Sequence, residues 1–138
     1  MTIDPRDPGP AVLGFLAARH LATLTTIRPD GAPHVVAVGF TFDDGGPGRP
    51  VARVITNEGS RKVANLERAG GTARAAVAQV AGPNWVSLEG PARVSRDPSV
   101  IADAVARYAR RYQEPRRNPR RVVIEIDVER MLGRADAG

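Results

Sequence analysis

The chain of 138 residues contains no cysteine, which excludes disulfide bridges, thiolate nucleophiles and cysteine-bound metals. It has only two histidines, and neither lies near an obvious cluster of carboxylates, so we expect no metal site. No apolar run approaches the roughly 20 residues of a membrane-spanning helix, and the N-terminus lacks the apolar core of a signal peptide. These absences predict a cytoplasmic protein with no membrane partner. We expect a single domain over residues 1–138, with a flexible tail at residues 1–8.

Lysine is also scarce, although the chain is basic. Twenty basic residues against fifteen acidic ones give a formal charge of +5 and a pI near 10.9, which favours an anionic partner. Nineteen of the basic residues are arginine, and Lys62 is the one lysine. A lysine ammonium is a compact point charge that suits one phosphate or carboxylate, whereas arginine forms planar forks. Charge alone leaves nucleic acid, a phosphorylated cofactor and an acidic small molecule open.

Lys62 lies in a stretch, residues 53–65, whose pattern is typical of an anion site. The stretch begins with β-branched residues that favour a strand and continues with the turn residues Asn-Glu-Gly at 57–59. Ser60 is then placed to cap a helix. The start of a helix presents free N–H groups and a partial positive charge, and Arg61 and Lys62 add two full charges. A solvated surface lysine is the alternative interpretation.

The remaining patterns predict six strands and three helices. Aspartate followed by proline at 7–8 and 97–98 predicts two helix starts. The predicted order is α-β-β-β-α-β-β-α-β. The strands are expected over 21–27, 34–42, 51–56, 72–80, 85–94 and 122–128, and the helices over 8–19, 60–69 and 98–113. Mostly short connections favour a small closed antiparallel barrel, because a doubly wound parallel sheet would need a helix after nearly every strand.

Glycine and small residues mark two of the predicted strands. In the second strand, Ala37 and Gly39 lie on the face opposite the apolar one, and small residues there often indicate the close approach of another surface or of a flat ligand. In the fifth strand, Gly90-Pro91 predicts a bulge or an edge. The glycine-rich segment 43–48 is expected to be an exposed turn.

Six stretches of the chain, taken in order, resemble the pyridoxamine-phosphate-oxidase-like split barrels. More narrowly, they resemble the flavin/deazaflavin oxidoreductases that use coenzyme F420. The matching stretches are residues 15–26, 33–42, 52–56, 59–62, 85–90 and 118–125. The resemblance implies a mainly β protein with helices, built as a six-stranded antiparallel split β-barrel. It also implies a homodimer with each cofactor site at the subunit interface.

The resemblance further implies which residues bind the cofactor. The phosphate and polyglutamate tail would lie around the third strand and the following helix start, and the deazaflavin ring would lie along the second strand. The residues expected at the site are Val36, Ala37, Val38, Arg53, Val54, Ile55, Thr56, Ser60, Arg61, Lys62, Gln79 and Trp85. Arginine and lysine suit the phosphodiester and carboxylates of this coenzyme through charge-assisted hydrogen bonds.

The activity implied is transfer of a hydride from the reduced deazaflavin to a conjugated acceptor, biliverdin or a similar pigment. Such an enzyme positions donor and acceptor, which agrees with the lack of a recognisable acid/base constellation, so no catalytic residue is assigned. An FMN-binding flavoprotein of the same fold and a non-catalytic binder of the coenzyme or of a tetrapyrrole are the alternatives.

Several arginines follow the third predicted helix start, and their role is left open. They are Arg107, Arg110, Arg111, Arg116, Arg117, Arg120 and Arg121. They could form a solvated surface, or bind propionates or the coenzyme tail from a partner subunit. Nucleic-acid binding is disfavoured, because aromatic residues do not interleave with them outside Tyr108 and Tyr112, which have the spacing of helix packing residues.

Overall fold

A computed structural model describes residues 1–136 as a nine-stranded antiparallel sheet with three α-helices. The strands are β1 (Thr2–Ile3), β2 (Ala22–Ile27), β3 (Pro33–Val38), β4 (Thr41–Asp43), β5 (Val51–Asn57), β6 (Arg74–Ala81), β7 (Asn84–Ser95), β8 (Arg121–Asp127) and β9 (Arg130–Arg134). The helices are α1 (Pro10–Ala17), α2 (Arg61–Ala69) and α3 (Pro98–Arg111), with a 3₁₀ turn at Gly70–Thr72. No helix in this part of the chain is both long and apolar enough to cross a bilayer.

Hydrogen bonds connect the strands in the order β3-β2-β6-β7-β8-β5-β4, and β9 pairs with β7 and with β1. The long strand β7 joins the two halves, because residues 84–91 pair with β6 and residues 92–95 pair with β8. The change of partner follows Gly90, where a side chain would overlap the carbonyl oxygen of Asp127. Glycine is required there by this close approach of two backbones.

The hydrophobic core fills the concave side of the sheet. Alternate strand residues point into it, and Leu24, Val77, Leu88 and Ile124 are fully buried. Helices α1 and α2 close the core, the latter through residues such as Leu66. Burying each large aliphatic side chain contributes about 1.5–3 kcal/mol, so this shared core holds both halves of the sheet together.

The sheet is open rather than closed, which corrects the predicted six-stranded closed barrel. Strands β3 and β4 end the path and are not paired with each other in the part of the chain that the structure describes. The predicted strand 34–42 is therefore two strands. The chain leaves β3 after Val38 because the backbone of Phe40 bonds to side chains instead of a strand: its N–H donates to the Tyr112 hydroxyl at 3.2 Å and its carbonyl accepts from Arg111. Gly39 lies against the ring of Tyr108, where a Cβ would lie 3.0 Å from Cε2.

The other extra strands come from the two ends of the chain. The sequence predicts a flexible tail over residues 1–8, but β1 pairs with β9 in the register Thr2–Leu132 and Ile3–Met131. Strand β9 was not predicted, because it is short and contains Gly133 between charged ends. Its stability comes from pairing with β7, a long-range contact that local pattern does not reveal.

The helix starts follow the prediction at α2 and α3 and differ from it at α1. The Asp97 cap of α3 is confirmed, since its Oδ1 accepts a hydrogen bond from the Ser99 N–H at 2.9 Å. Helix α1 begins at Pro10 instead of residue 8, because Asp7 closes a turn with Asp4. Ser60 occupies the N-cap position of α2, but its hydroxyl makes no capping hydrogen bond.

Candidate functional site

A cavity of about 270 Å³ lies where the barrel is open. Two backbone segments form its walls, Ala37–Gly39 after β3 and Ile55–Asn57 at the end of β5. Strand β3 pairs only with β2, and β4 covers only residues 51–53 of β5, so both segments present a strand edge within the described chain. Free backbone N–H and C=O groups need hydrogen-bond partners. A flat heterocycle with ring N–H and C=O groups can supply them.

Two cations, Lys62 and Arg121, line the same cavity. Neither has a carboxylate within 4.0 Å among residues 1–136, although Arg121 donates to the Arg116 carbonyl at 2.6 Å. Burial lowers the pKa of Lys62 below its ordinary value of 10.5, because partial burial removes water from the ammonium without supplying an anion. The cavity therefore carries positive charge that a bound phosphate or carboxylate would compensate.

A second cationic pocket, of about 260 Å³, lies beside the start of α2. Arg61 lines it together with Arg28, Pro29 and Asp30 of the β2–β3 turn. Because Arg61 and Lys62 are consecutive, the start of α2 separates this pocket from the first cavity. We refer to the two cavities together as the anion region; Lys62 and Arg121 lie on one side of the start of α2, and Arg28 and Arg61 on the other.

Three buried side-chain atoms lack a hydrogen-bond partner in the described chain, and all three belong to α2, its cap or β3. They are His34 Nδ1, Ser60 Oγ and Asn65 Oδ1. The other polar atom of Asn65, Nδ2, donates to Thr26 Oγ1 at 3.0 Å. An unsatisfied buried polar group costs about 1–3 kcal/mol, and such groups gather where a ligand or water completes the bonding. Of the three, Ser60 Oγ at the start of α2 can donate to a bound anion, whereas Asn65 Oδ1 can only accept a hydrogen bond.

The structure brings together about half of the residues expected from the sequence. Ala37, Val38, Ile55, Thr56 and Lys62 line the first cavity. Arg61 lines the second pocket, and Ser60 precedes it at the cap of α2. These residues adjoin because the strand-turn-helix of β5 and α2 lies opposite the end of β3.

Arg53 and its neighbours on β5 are placed differently from the expectation. The guanidinium of Arg53 is held by Asp43 and by Glu125, each at 3.1 Å, so its charge is already compensated. Glu125, on the predicted polar face of β8, is buried for this reason. Val54 is buried in the hydrophobic core, and Val36 packs against that core. The side chains of Val54 and Val36 face away from the cavity.

Gln79 and Trp85 also lie outside the two cavities. Gln79 is fully buried; its Nε2 donates to the Phe15 carbonyl at 2.8 Å and its Oε1 accepts from Arg111. Trp85 is the second residue of β7 and pairs with Val80 of β6. The place of Gln79 and Trp85 in the cofactor site stays a prediction.

Six further residues line the first cavity and are absent from the set of expected cofactor-binding residues. They are Gly39, Asn57, Tyr108, Pro115, Asn118 and Arg121. Tyr108 was interpreted as a packing residue, and its ring does contact Gly39, but it also forms a wall of the cavity. Asn118 and Arg121 belong to the last of the stretches that carry the family resemblance. That stretch is the signal in the sequence that could have pointed to them.

Comparisons with known proteins agree with this architecture. The family model described as pyridoxamine 5'-phosphate oxidase matches residues 9–135. A protein of Mycobacterium tuberculosis (strain CDC 1551 / Oshkosh) named F420H(2)-dependent biliverdin reductase is 56% identical over 124 residues, covering 90% of this chain and 86% of that protein.

Two solved structures share the fold. A conserved hypothetical protein from Mycobacterium tuberculosis superposes with a TM-score of 0.74 at 24% identity, over 90% of this chain and 82% of that one. A structure described as an F420 reductase has a TM-score of 0.68 at 22% identity, over 91% and 98% of the two chains. The match over residues 9–135 and the 56% identity lead to one conclusion: this chain belongs to the pyridoxamine 5'-phosphate oxidase family.

Proposed function

We propose that this chain is a coenzyme F420-dependent reductase that transfers a hydride to the conjugated acceptor biliverdin, to give bilirubin. The observation that carries the proposal is the 56% identity, over 90% of the chain, with a protein named for that activity. The cavity supports it independently, because it combines free strand edges with two uncompensated cations.

The residues of the anion region suit the parts of this coenzyme. The strand edges at Ala37–Gly39 and Ile55–Asn57 would hydrogen-bond the flat ring system through the backbone. Lys62 and Arg121 would bind the phosphate, and Arg61 would bind carboxylates of the tail. Charge-assisted hydrogen bonds of this kind are shorter and stronger than neutral ones.

Hydride transfer requires the protein to position the two reactants rather than to provide a strong acid or base. When bound, the reduced coenzyme supplies the hydride. No carboxylate or imidazole is among the residues that line the first cavity, in the chain as described. The chain therefore orients the two reactants and narrows the space around them, through Tyr108 and Pro115 among others. Solvent or an ordered water would supply the proton that the acceptor nitrogen takes up.

A second copy of the chain is proposed to complete the site. Large apolar side chains are exposed on the outer face of β2, β3 and β6. They are Ile27 (46% exposed), Val35 (55%), Val80 (68%) and Leu21 (66%), which precedes β2 and points to the same face. A contiguous apolar surface usually marks an interaction site. Ala37 lies on this face too, so a subunit docked here would adjoin the cavity. The homodimer and the cytoplasmic location stay predictions.

A binding titration comparing coenzyme F420 with FMN tests the cofactor, and mixing reduced coenzyme F420 with biliverdin tests the reaction. We expect F420 to bind more tightly than FMN. The fluorescence that oxidised F420 regains should rise while the biliverdin absorbance falls. Tighter binding of FMN would favour the flavoprotein alternative, and F420 binding without turnover would favour the non-catalytic binder.

Substitution of Lys62 tests the placement of the phosphate. Lys62→Ala should weaken F420 binding roughly ten- to a hundredfold, since hydrogen bonds to charged groups contribute about 1.5–3 kcal/mol. Its melting temperature should stay close to that of the wild type, because Lys62 has no partner in the described chain that the change would orphan. Arg68→Ala, on the exposed last turn of the same helix, is the control and should bind normally. Equal affinity of Lys62→Ala and wild type would refute this placement.

A further inference from the structure

We infer that His34 is a proton-linked residue of the anion region: binding of the polyanionic coenzyme draws a proton from solvent onto its imidazole, so that affinity rises as the pH falls. The inference rests on the proposed function and deepens it, because it assigns the bound state a protonated His34 that neither the sequence nor the family comparison supplies.

The fold places His34 beneath the start of α2. His34 pairs with Thr26 across β3 and β2, and the two side chains lie on the inward face of the sheet. Helix α2 packs over the same face, since Asn65 Nδ2 donates to Thr26 Oγ1 at 3.0 Å. Within this contact His34 Nδ1 is buried and has no hydrogen-bond partner among residues 1–136.

The charges that surround His34 are mostly positive. The β2–β3 turn contributes Arg28 and Asp30, whose Oδ1 accepts the Ala32 N–H at 2.9 Å. The start of α2 contributes Arg61 and Lys62. Strand β2 contributes only the neutral Thr26 on the facing position. One carboxylate therefore opposes three cations around this imidazole.

In the free protein this environment keeps His34 neutral. Burial of the ring, followed by the positive fields of Arg28, Lys62 and Arg61, lowers the pKa of His34 below its ordinary value of 6.5. Each of these causes disfavours the imidazolium. At pH 7 the ring therefore carries one proton, on one of its two nitrogens.

A bound polyanion reverses the electrostatic part of this effect. Phosphate and carboxylate groups at Arg61 and Lys62 compensate the fields that suppress protonation, so the pKa of His34 rises in the complex. One proton passes from solvent to the ring, and no other bond forms or breaks. Since His34 Nδ1 has no hydrogen-bond partner among residues 1–136, the added proton displaces no existing bond there.

The direction of the pH dependence follows from linkage. Above the pKa of the complex, neither state binds the extra proton and the affinity is independent of pH. Between the higher pKa of the complex and the lower pKa of the free protein, the affinity rises by up to about tenfold per pH unit as the pH falls. Below both values it becomes constant again.

Proton NMR of the two imidazoles tests the inference without measuring activity. His20 provides the internal control, since its ring lies beside Phe15 with centroids 5.6 Å apart. His20→Gln assigns the remaining signal to His34. We expect coenzyme F420, and also inorganic tripolyphosphate as a simple polyanion, to raise the pKa of His34, with the His20 signal as the reference in the same spectra. Calorimetry in two buffers of different ionisation enthalpy should show proton uptake by the wild type and by His20→Gln, and none by His34→Gln.

The outcomes separate this inference from the proposed function. If F420 binds while the titration of His34 stays unmoved and no proton is taken up, the inference fails and the proposed function stands. If F420 does not bind, the proposed function fails. The NMR titration with tripolyphosphate then tests the inference by itself. A raised pKa of His34 supports the proton-linked anion site, and an unchanged pKa of His34 overturns it.

Discussion

Arg111 is a partly buried cation that no carboxylate contacts among residues 1–136. Its guanidinium donates to the carbonyl oxygens of Ala18, at 2.9 Å, and of Phe40, and to Gln79 Oε1. It also lies over the rings of Phe40 and Tyr112, at 4.7 and 4.9 Å from their centroids. Burial lowers its pKa, and carbonyl dipoles and aromatic faces stabilise the charge instead. Arg111 thereby holds the backbone at the break between β3 and β4, one residue from the cavity wall.

Removing this guanidinium should destabilise the fold. Arg111→Ala leaves Gln79 Oε1 without a donor and leaves the Phe40 carbonyl with only the long bond from the Tyr112 hydroxyl, at 3.4 Å. An orphaned buried acceptor costs about 1–3 kcal/mol. We expect the free energy of unfolding in urea to fall by more than about 2 kcal/mol. The matched control is its exposed neighbour: Arg110→Ala should change stability by less than about 0.5 kcal/mol. Equal stabilities of the two variants would contradict the role given to Arg111.

Strand β4 has only three residues, and the carboxylate of its last residue, Asp43, connects it to β5 and α3. Asp43 Oδ2 lies 3.1 Å from Arg53 Nη1 and 3.3 Å from Arg107 Nη2, and Asp43 Oδ1 accepts the Gly45 N–H at 2.9 Å. Burial alone would raise the pKa of Asp43, but the Gly45 N–H and the two guanidinium groups outweigh it and hold the pKa below the ordinary value of 3.8.

Asp43→Asn should therefore show a pH-dependent loss of stability. A depressed folded-state pKa means that the stabilisation by Asp43 is fully present above its ordinary pKa of 3.8 and is lost as the pH falls through the lower folded value. At pH 7 we expect Asp43→Asn to unfold about 1–3 kcal/mol more easily than the wild type. In urea melts repeated down to pH 2.5, the two proteins should converge. A constant difference across this range would show that the carboxylate charge is not the cause.

The change of pairing partner along strand β7, from β6 to β8, depends on Gly90. Since a side chain there would overlap the Asp127 carbonyl oxygen, Gly90→Ala must move β7 away from β8, and we expect a loss of several kcal/mol or failure to fold. Gly14 in α1 has no atom within 4 Å of its would-be Cβ, so Gly14→Ala should stabilise the protein by up to about 1 kcal/mol. Thermal melts of the two variants, followed by circular dichroism, would show the opposite shifts. A small shift for Gly90→Ala would indicate that β7 and β8 can separate at little cost.

The shape of the entire molecule places its apolar outer face beside its cationic cavity. Val35 and Ala37 alternate along β3 on the outer face, and Ala37 also lines the cavity. Association through this face would place a second subunit against the open side of the barrel. Cofactor affinity and assembly should therefore change together.

Val80→Asp tests this coupling. Val80 is 68% exposed, so the charge should leave the protomer folded while it disfavours burial of the outer face. We expect light scattering coupled to size exclusion to show a dimer for the wild type and a monomer for Val80→Asp, with F420 binding weakened in the monomer. Ala102→Glu, on an exposed position of α3, should remain dimeric. A monomeric wild type that still binds F420 would rule out a shared site.

Local features of the sequence determined the strand-turn-helix around Lys62 and the capped start of α3. Both could be predicted because they depend on residues close together in the chain: β-branched residues before Asn57, and the Asp97 side chain beside the Ser99 N–H. The resemblance carried by the order of the motifs predicted the family, which the match over residues 9–135 confirms.

Tertiary structure alone decided which charges are free and where the barrel opens. Arg53 and Lys62 look equally suited to an anion in the sequence, but long-range pairing gives Arg53 two carboxylates and leaves Lys62 with none in the described chain. The same pairing brings Arg121 to Lys62 and splits the predicted second strand at Gly39. Contacts between residues distant in the chain depend on the packed fold, and no local pattern encodes them.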